Sequence, residues 1–113
     1  MHAVCETKQF ERAAADSGMS RDEIDAFVDF LAANPEAGDE IQGTGGCRKI
    51  RVAGKGRGRS GGYRVITFFS GPDLPIFLLT VFAKGEKANL TNAERNSLSK
   101  LTAVLVNDYR KRS

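Results

Sequence analysis

Apolar positions recur along this chain with two different periods, and the change of period divides it. After Ser20, the residues Ile24, Phe27, Val28 and Leu31 fall at the i, i+3, i+4, i+7 spacing of a helix with one apolar stripe. The segment Ser20-Arg21-Asp22-Glu23 opens that helix as a capping box, with hydroxyl and carboxylate each satisfying a free backbone N–H. Asn34-Pro35 stops it. Upstream, Thr7 caps an earlier helix that carries Phe10, Ala13 and Ala14 on one side, and Gly18 supplies the left-handed turn that ends it. His2 to Cys5 suits a short first strand. The first third therefore predicts a strand followed by a helical hairpin.

From Gly43 the period shortens to two. Nine of the twelve glycines lie between Gly43 and Gly71, with β-type residues between them. Within Cys47–Ala53, Lys49 and Arg51 alternate with Ile50 and Val52, as on a half-buried strand. Gly54–Gly61 reads as a basic, glycine-rich hairpin loop, Gly62–Phe69 as a second strand, and Ile76–Ala83 as a third, the most apolar and hence central. Short connections between them imply antiparallel pairing. Thr91-Asn92-Ala93-Glu94 is a second capping box, opening a helix with Leu98, Leu101, Leu105 and Tyr109 inward. The predicted order is β-α-α-β-β-β-α. This is an α+β domain spanning residues 1–113, with a small antiparallel sheet, an N-terminal helical hairpin and a C-terminal helix.

Charge changes the picture. The net +3 conceals ten acids against three bases in residues 1–40. Residues 41–72 hold seven bases (Arg48, Lys49, Arg51, Lys55, Arg57, Arg59, Arg64) and no acid. Like charges crowded on a surface repel, so a stretch of this kind asks for an anionic partner, and nucleic acid is the commonest one. On a strand, residues two apart share a face, so Lys49 and Arg51 project together, and Arg64 on the next strand reaches the same face. Lys84 ends the third strand close to Glu86 and Lys87.

Several other chemistries are excluded. Gly56-Arg57-Gly58-Arg59-Ser60-Gly61 matches G-x-G-x-x-G, but a strand-like segment follows where a dinucleotide site needs a helix. Two distant cysteines, Cys5 and Cys47, and one histidine, His2, make no zinc site, and no cofactor is expected. No apolar run approaches a membrane span, and Met1–Glu6 lacks the pattern of an export signal, so a cytoplasmic protein with no membrane partner is expected.

The stretches Gly43–Val52, Gly61-Gly62-Tyr63-Arg64-Val65-Ile66 and Phe82-Ala83-Lys84-Gly85-Glu86-Lys87, together with length and element order, resemble the RelE/HigB toxins of bacterial toxin–antitoxin modules. The glycine-rich hairpin and the Ile41–Gly46 lead-in look most like the HigB branch. The resemblance implies a ribosome-dependent endoribonuclease that cuts messenger RNA, inhibits translation and is silenced by a cognate antitoxin protein. Carried over by position, it implies catalytic roles for Lys49, Arg51, Arg64 and Lys84; Glu86 joins the expected catalytic set as a general base or as a support for Lys84 or Lys87, and Arg48, Lys55, Arg57, Arg59 and Lys87 are expected to grip RNA. Gly85 stands where RelE proper has a further arginine, and Thr91 near where it has a catalytic tyrosine, so that acid–base scheme does not transfer whole. Crowding among cations favours proton release from a lysine, which assigns proton exchange to Lys49 or Lys84 and the phosphate clamp to Arg51 and Arg64. The alternatives are a ParE-type toxin that inhibits DNA gyrase without cutting RNA, and a plain RNA-binding module using Tyr63 or Phe68 to stack on bases.

Overall fold

The structure, a computed structural model, describes residues 2–53, 62–83 and 90–112. Its elements are β1 (Val4–Glu6), α1 (Lys8–Ser17), α2 (Arg21–Ala33), β2 (Asp39–Glu40), β3 (Cys47–Val52), β4 (Tyr63–Phe68), β5 (Ile76–Ala83) and α3 (Asn92–Arg112). The helix starts follow from local hydrogen bonding. Thr7 accepts from the Phe10 N–H at 3.1 Å. The Ser20–Glu23 box closes reciprocally at 3.1 and 2.9 Å, and the Thr91–Glu94 box at 3.1 and 2.8 Å. Gly18 ends α1 with φ 79°, where a side chain would be strained.

The five strands lie in the order β1-β5-β4-β3-β2. Two features depart from the sequence expectation. β1 pairs with β5 in parallel, through Val4–Ile76 and Glu6–Leu78, so the sheet is mixed instead of wholly antiparallel. A parallel pair needs a long crossover, and here α1, α2 and three strands supply it. The two-residue β2 was not foreseen, because Asp39 and Glu40 carry no apolar signal. The middle position belongs to β4, with β5 beside it.

Both faces of the sheet are covered, which explains the apolar runs of β4 and β5. On one face Phe10, Leu31, Tyr63, Val65, Ile76 and Leu78, each 0–1% exposed, form the core beneath α1 and α2. On the other, Cys47, Ile66, Phe68, Phe77, Leu79 and Phe82 pack with Leu98 of α3. A register shift between Ile66 and Thr67 sets Leu79 as an extra residue and keeps both faces apolar through β5. α3 lies along β5 with its start near Phe82, and its later turns bring the Tyr109 ring edge-on to Phe77, 6.2 Å between centroids.

The lead-in to β3 is tied down by Thr44, which is fully buried. Its hydroxyl donates to Ile41 O at 2.6 Å and accepts the Cys47 N–H at 3.1 Å, while its carbonyl accepts from Thr102 Oγ1 of α3 at 3.1 Å. Gly46 follows at φ 127°, and a Cβ there would lie 3.1 Å from Phe68 Cε1. Among the described residues no helix is long and apolar enough to cross a membrane.

Candidate functional site

Strand register decides which cations meet. In the β3–β4 ladder Cys47 is opposite Phe68, Lys49 opposite Ile66 and Arg51 opposite Arg64. Cys47, Ile66 and Phe68 belong to the core under α3, so by alternation Lys49, Arg51 and Arg64 rise from that same face. Arg64 is in turn opposite Phe82 of β5. Three of the five expected catalytic residues therefore share one face, toward the β5 end that carries Phe82. Lys84 and Glu86, like Lys55, Arg57, Arg59 and Lys87, lie outside the described residues.

Arg51 is exposed, and Lys49 and Arg64 are half-buried. Neither Lys49 nor Arg51 has an ion-pair partner among the described residues. The Arg64 guanidinium reaches its neighbour's carbonyl, Tyr63 O, at 3.4 Å.

Arg48 has the opposite parity and is placed on the other face. Its guanidinium donates to Glu36 O at 3.0 Å, Gly38 O at 3.3 Å and Glu40 Oε1 at 3.2 Å. It was expected among the RNA-gripping residues, and its geometry instead fastens β2 and the preceding turn to β3. Tyr63 and Phe68, 1% and 2% exposed, are core residues on opposite faces, so neither offers a ring to a base.

Arg95 was missed by sequence reasoning. It lies in α3 one turn before Leu98 and two before Thr102, on the stripe turned to the sheet. Leu98 packs near Phe82, so Arg95 stands at the same end of the sheet as Arg64 and Phe82. Its Nε is buried and finds no hydrogen-bond partner among the described residues. The available signal was a cation three residues ahead of Leu98 on an otherwise apolar stripe. Beside it, a cleft of about 550 Å³ between β5 and the first turns of α3 is lined by Thr80, Phe82, Leu90, Glu94, Leu98 and Leu101, among others.

His2 lies at the other end. Its Nε2 is 2.6 Å from Leu74 O, its N–H donates to Ala32 O, and its ring meets Phe69 edge-on. The cysteines are separate: Cys5 is exposed, and Cys47 is buried, with burial pushing its thiol up to about 11.

A mixed sheet sandwiched between a helical hairpin and a C-terminal helix, with Lys49, Arg51 and Arg64 on one face of β3 and β4, defines a small α+β protein. Over residues 2–112 the sequence matches the family described as RelE toxin of the RelE/RelB toxin–antitoxin system, and the chain belongs to that family. The match is to the family as a whole and does not separate the HigB branch from others. Among solved structures, the chain is similar to a double arginine-to-alanine mutant of the E. coli toxin RelE in the free state. The TM-score is 0.52 at 16% identity, covering 76% of this chain and 86% of the other. That similarity concerns the fold.

Proposed function

We propose that this toxin is an endoribonuclease that cuts messenger RNA on the ribosome, using the cationic face of β3 and β4. The observation that carries the reading is the register that sets Arg51 opposite Arg64, with Lys49 one step along the same face. Directly opposed like charges weaken a strand pair, so their presence calls for a function that outweighs the loss. A phosphodiester between them offsets both charges.

The reaction the site suits is attack of the ribose 2′-oxygen on the adjacent phosphorus. The bond to the 5′-oxygen breaks, leaving a 2′,3′-cyclic phosphate and a 5′-hydroxyl. A base removes the 2′ proton, cations hold the extra negative charge of the pentacoordinate phosphorus, and an acid protonates the departing oxygen. Arg51 and Arg64, always charged, hold the phosphate oxygens. Lys49 is placed to pass a proton, a role it shares in this reading with Lys84, while Glu86 acts as a base or orients a lysine. Arg95 adds a cation from the helical side. The cleft beside Phe82 gives a neighbouring base an apolar seat. The ribosome supplies the orientation of the message, and with it the proximity that these cations alone do not provide. Lys55, Arg57, Arg59 and Lys87 grip ribosomal RNA, and the cytoplasm is where both partners are found.

The test is cleavage of message on purified, programmed ribosomes by the wild-type protein and by Arg64→Ala, with DNA supercoiling followed in parallel. Codon-phased cuts that disappear in the variant are expected. Intact message together with gyrase inhibition would instead establish the ParE-type activity.

A further inference from the structure

β5 outruns its outer partner. β1 pairs with it only from Ile76 to Leu78. There Thr7 closes the ladder, its N–H and its hydroxyl both donating to Leu78 O, at 3.3 and 2.7 Å, and the chain turns away into α1. Beyond Leu78 the outer edge of β5 has no strand beside it among the described residues. The ladders decide which main-chain groups face that edge. The Ile41 N–H donates to Cys47 O at 2.9 Å, so Cys47, Lys49 and Arg51 bond toward β2, and Arg48, Ile50 and Val52 toward β4. Their β4 partners Thr67, Val65 and Tyr63 are thereby committed to β3, which leaves Ile66 and Arg64 to bond Thr80 and Phe82. Val81, between those two, turns its N–H and C=O outward, and neither group has a hydrogen-bond partner among the described residues.

The cleft of about 550 Å³ between β5 and α3 opens at this edge. Val81 borders it, although its side chain belongs to the core on the hairpin side, so what it presents there is main chain. Phe82, Leu98 and Leu101 supply apolar walls. Gln9, from the first turn of α1, also borders the cleft, and its side-chain amide makes no hydrogen bond among the described residues. Two donor–acceptor pairs, one of main chain and one of side chain, thus meet in a mostly apolar space of small-molecule size. Apolar walls with a few convergent polar groups are the ordinary make-up of a ligand site.

We propose that this cleft binds the adenine ring of a nucleotide. The Val81 N–H donates to ring nitrogen N1, and the Val81 C=O accepts one proton of the 6-amino group. Gln9 makes the corresponding pair with N7 and the second amino proton. Adenine satisfies both pairs at once, because its amino group is flanked by a ring acceptor on either side. Guanine would show Gln9 two acceptors, O6 and N7, and leave the Gln9 carbonyl unpaired. A pyrimidine has a single edge of this kind. The accompanying phosphate has cations at the same end of the sheet. Phe82 is the cross-strand partner of Arg64, and the buried Arg95 Nε, one turn before Leu98, has no partner among the described residues. The ring belongs either to a free nucleotide or to an adenosine of an RNA strand lying on the cationic face, and only the second case rests on the ribonuclease reading.

The test titrates the full chain with 5′-mononucleotides, followed by calorimetry and by amide hydrogen exchange. AMP is expected to bind and to slow exchange at Val81, while Thr80 and Phe82, already bonded to β4, change little. GMP, CMP, UMP and purine riboside 5′-monophosphate, which lacks the amino group, should bind at least about tenfold more weakly. Gln9→Ala should lower AMP affinity about tenfold. A single-stranded deoxytetranucleotide with one adenine separates the two sources. Tighter binding than AMP, reduced by Arg64→Ala, assigns the ring to an RNA strand; equal or weaker binding assigns it to a free nucleotide. No saturation by AMP, equal binding of all five nucleotides, or AMP binding without protection at Val81 overturns the proposal. The assay contains neither ribosome nor message, so its failure is distinct from failure of the cleavage reading.

Discussion

Arg51 and Arg64 are direct partners across the β3–β4 ladder, two guanidinium-bearing residues on one face at neighbouring backbone positions. A pairing of this kind costs the sheet up to about 1 kcal/mol relative to a neutral pair. Arg51→Ala should therefore leave the unfolding midpoint in urea unchanged or raise it, while lowering message cleavage by about a hundredfold or more. A variant that loses stability and activity together would show the arginine to be part of the scaffold.

In the proposed reaction, Lys49 is the residue whose substitution separates holding a phosphate from moving a proton. Lys49→Arg keeps the charge but fixes the proton. RNA binding should stay within about twofold of wild type while the cleavage rate falls about a hundredfold. Lys49→Ala should lose both. Single-turnover cleavage beside equilibrium binding makes the distinction, and wild-type turnover by Lys49→Arg would confine Lys49 to the clamp.

Thr44 joins three parts of the molecule through one side chain and one carbonyl. Thr44→Val removes the hydroxyl and orphans the Cys47 N–H in a buried place. The expected loss is about 1–3 kcal/mol, measured by denaturant unfolding. Thr102→Val should cost less, because it removes a single tie to the Thr44 carbonyl and leaves the lead-in hydrogen bonds in place.

The Cys47 thiol gives the fold an alkaline limit. Burial raises its pKa from the ordinary 9.0 to about 11, with the Thr44 contact opposing. The folded state therefore holds a proton that the unfolded chain releases. The associated stability is complete below about pH 9, declines as pH rises and is lost above about pH 11. Unfolding midpoints taken from pH 8 to 11 should fall more steeply for wild type than for Cys47→Ala. At pH 8 a thiol reagent should label exposed Cys5 and spare Cys47 until the protein unfolds.

Local rules made most of the fold legible. The capping boxes at Ser20 and Thr91 and the alternation of Cys47–Val52 each act within a few residues, and each appears in place. The shared face of Lys49, Arg51 and Arg64 was legible for the same reason, since parity along a strand and a short return fix it. The parallel placement of β1 was hidden, because strand direction depends on a partner some seventy residues away. The separation of Arg48 from its basic neighbours was masked by treating the charge run as one unit, although strand parity already divides it. Arg95 sits on the inward stripe of α3 without the apolar character that marks that stripe in a sequence. His2 is held by a carbonyl 72 positions further along, a contact no local pattern announces.

The parallel β1–β5 pair also sets when the molecule becomes complete. Thr7 donates to Leu78 O across 71 positions of chain, and β1 has no strand to join until β5 has been made. A polypeptide interrupted before Ile76 would lack both the neighbour of β1 and the apolar wall beneath α1. Such a fragment could not close its core, so synthesis interrupted before Ile76 yields no folded toxin.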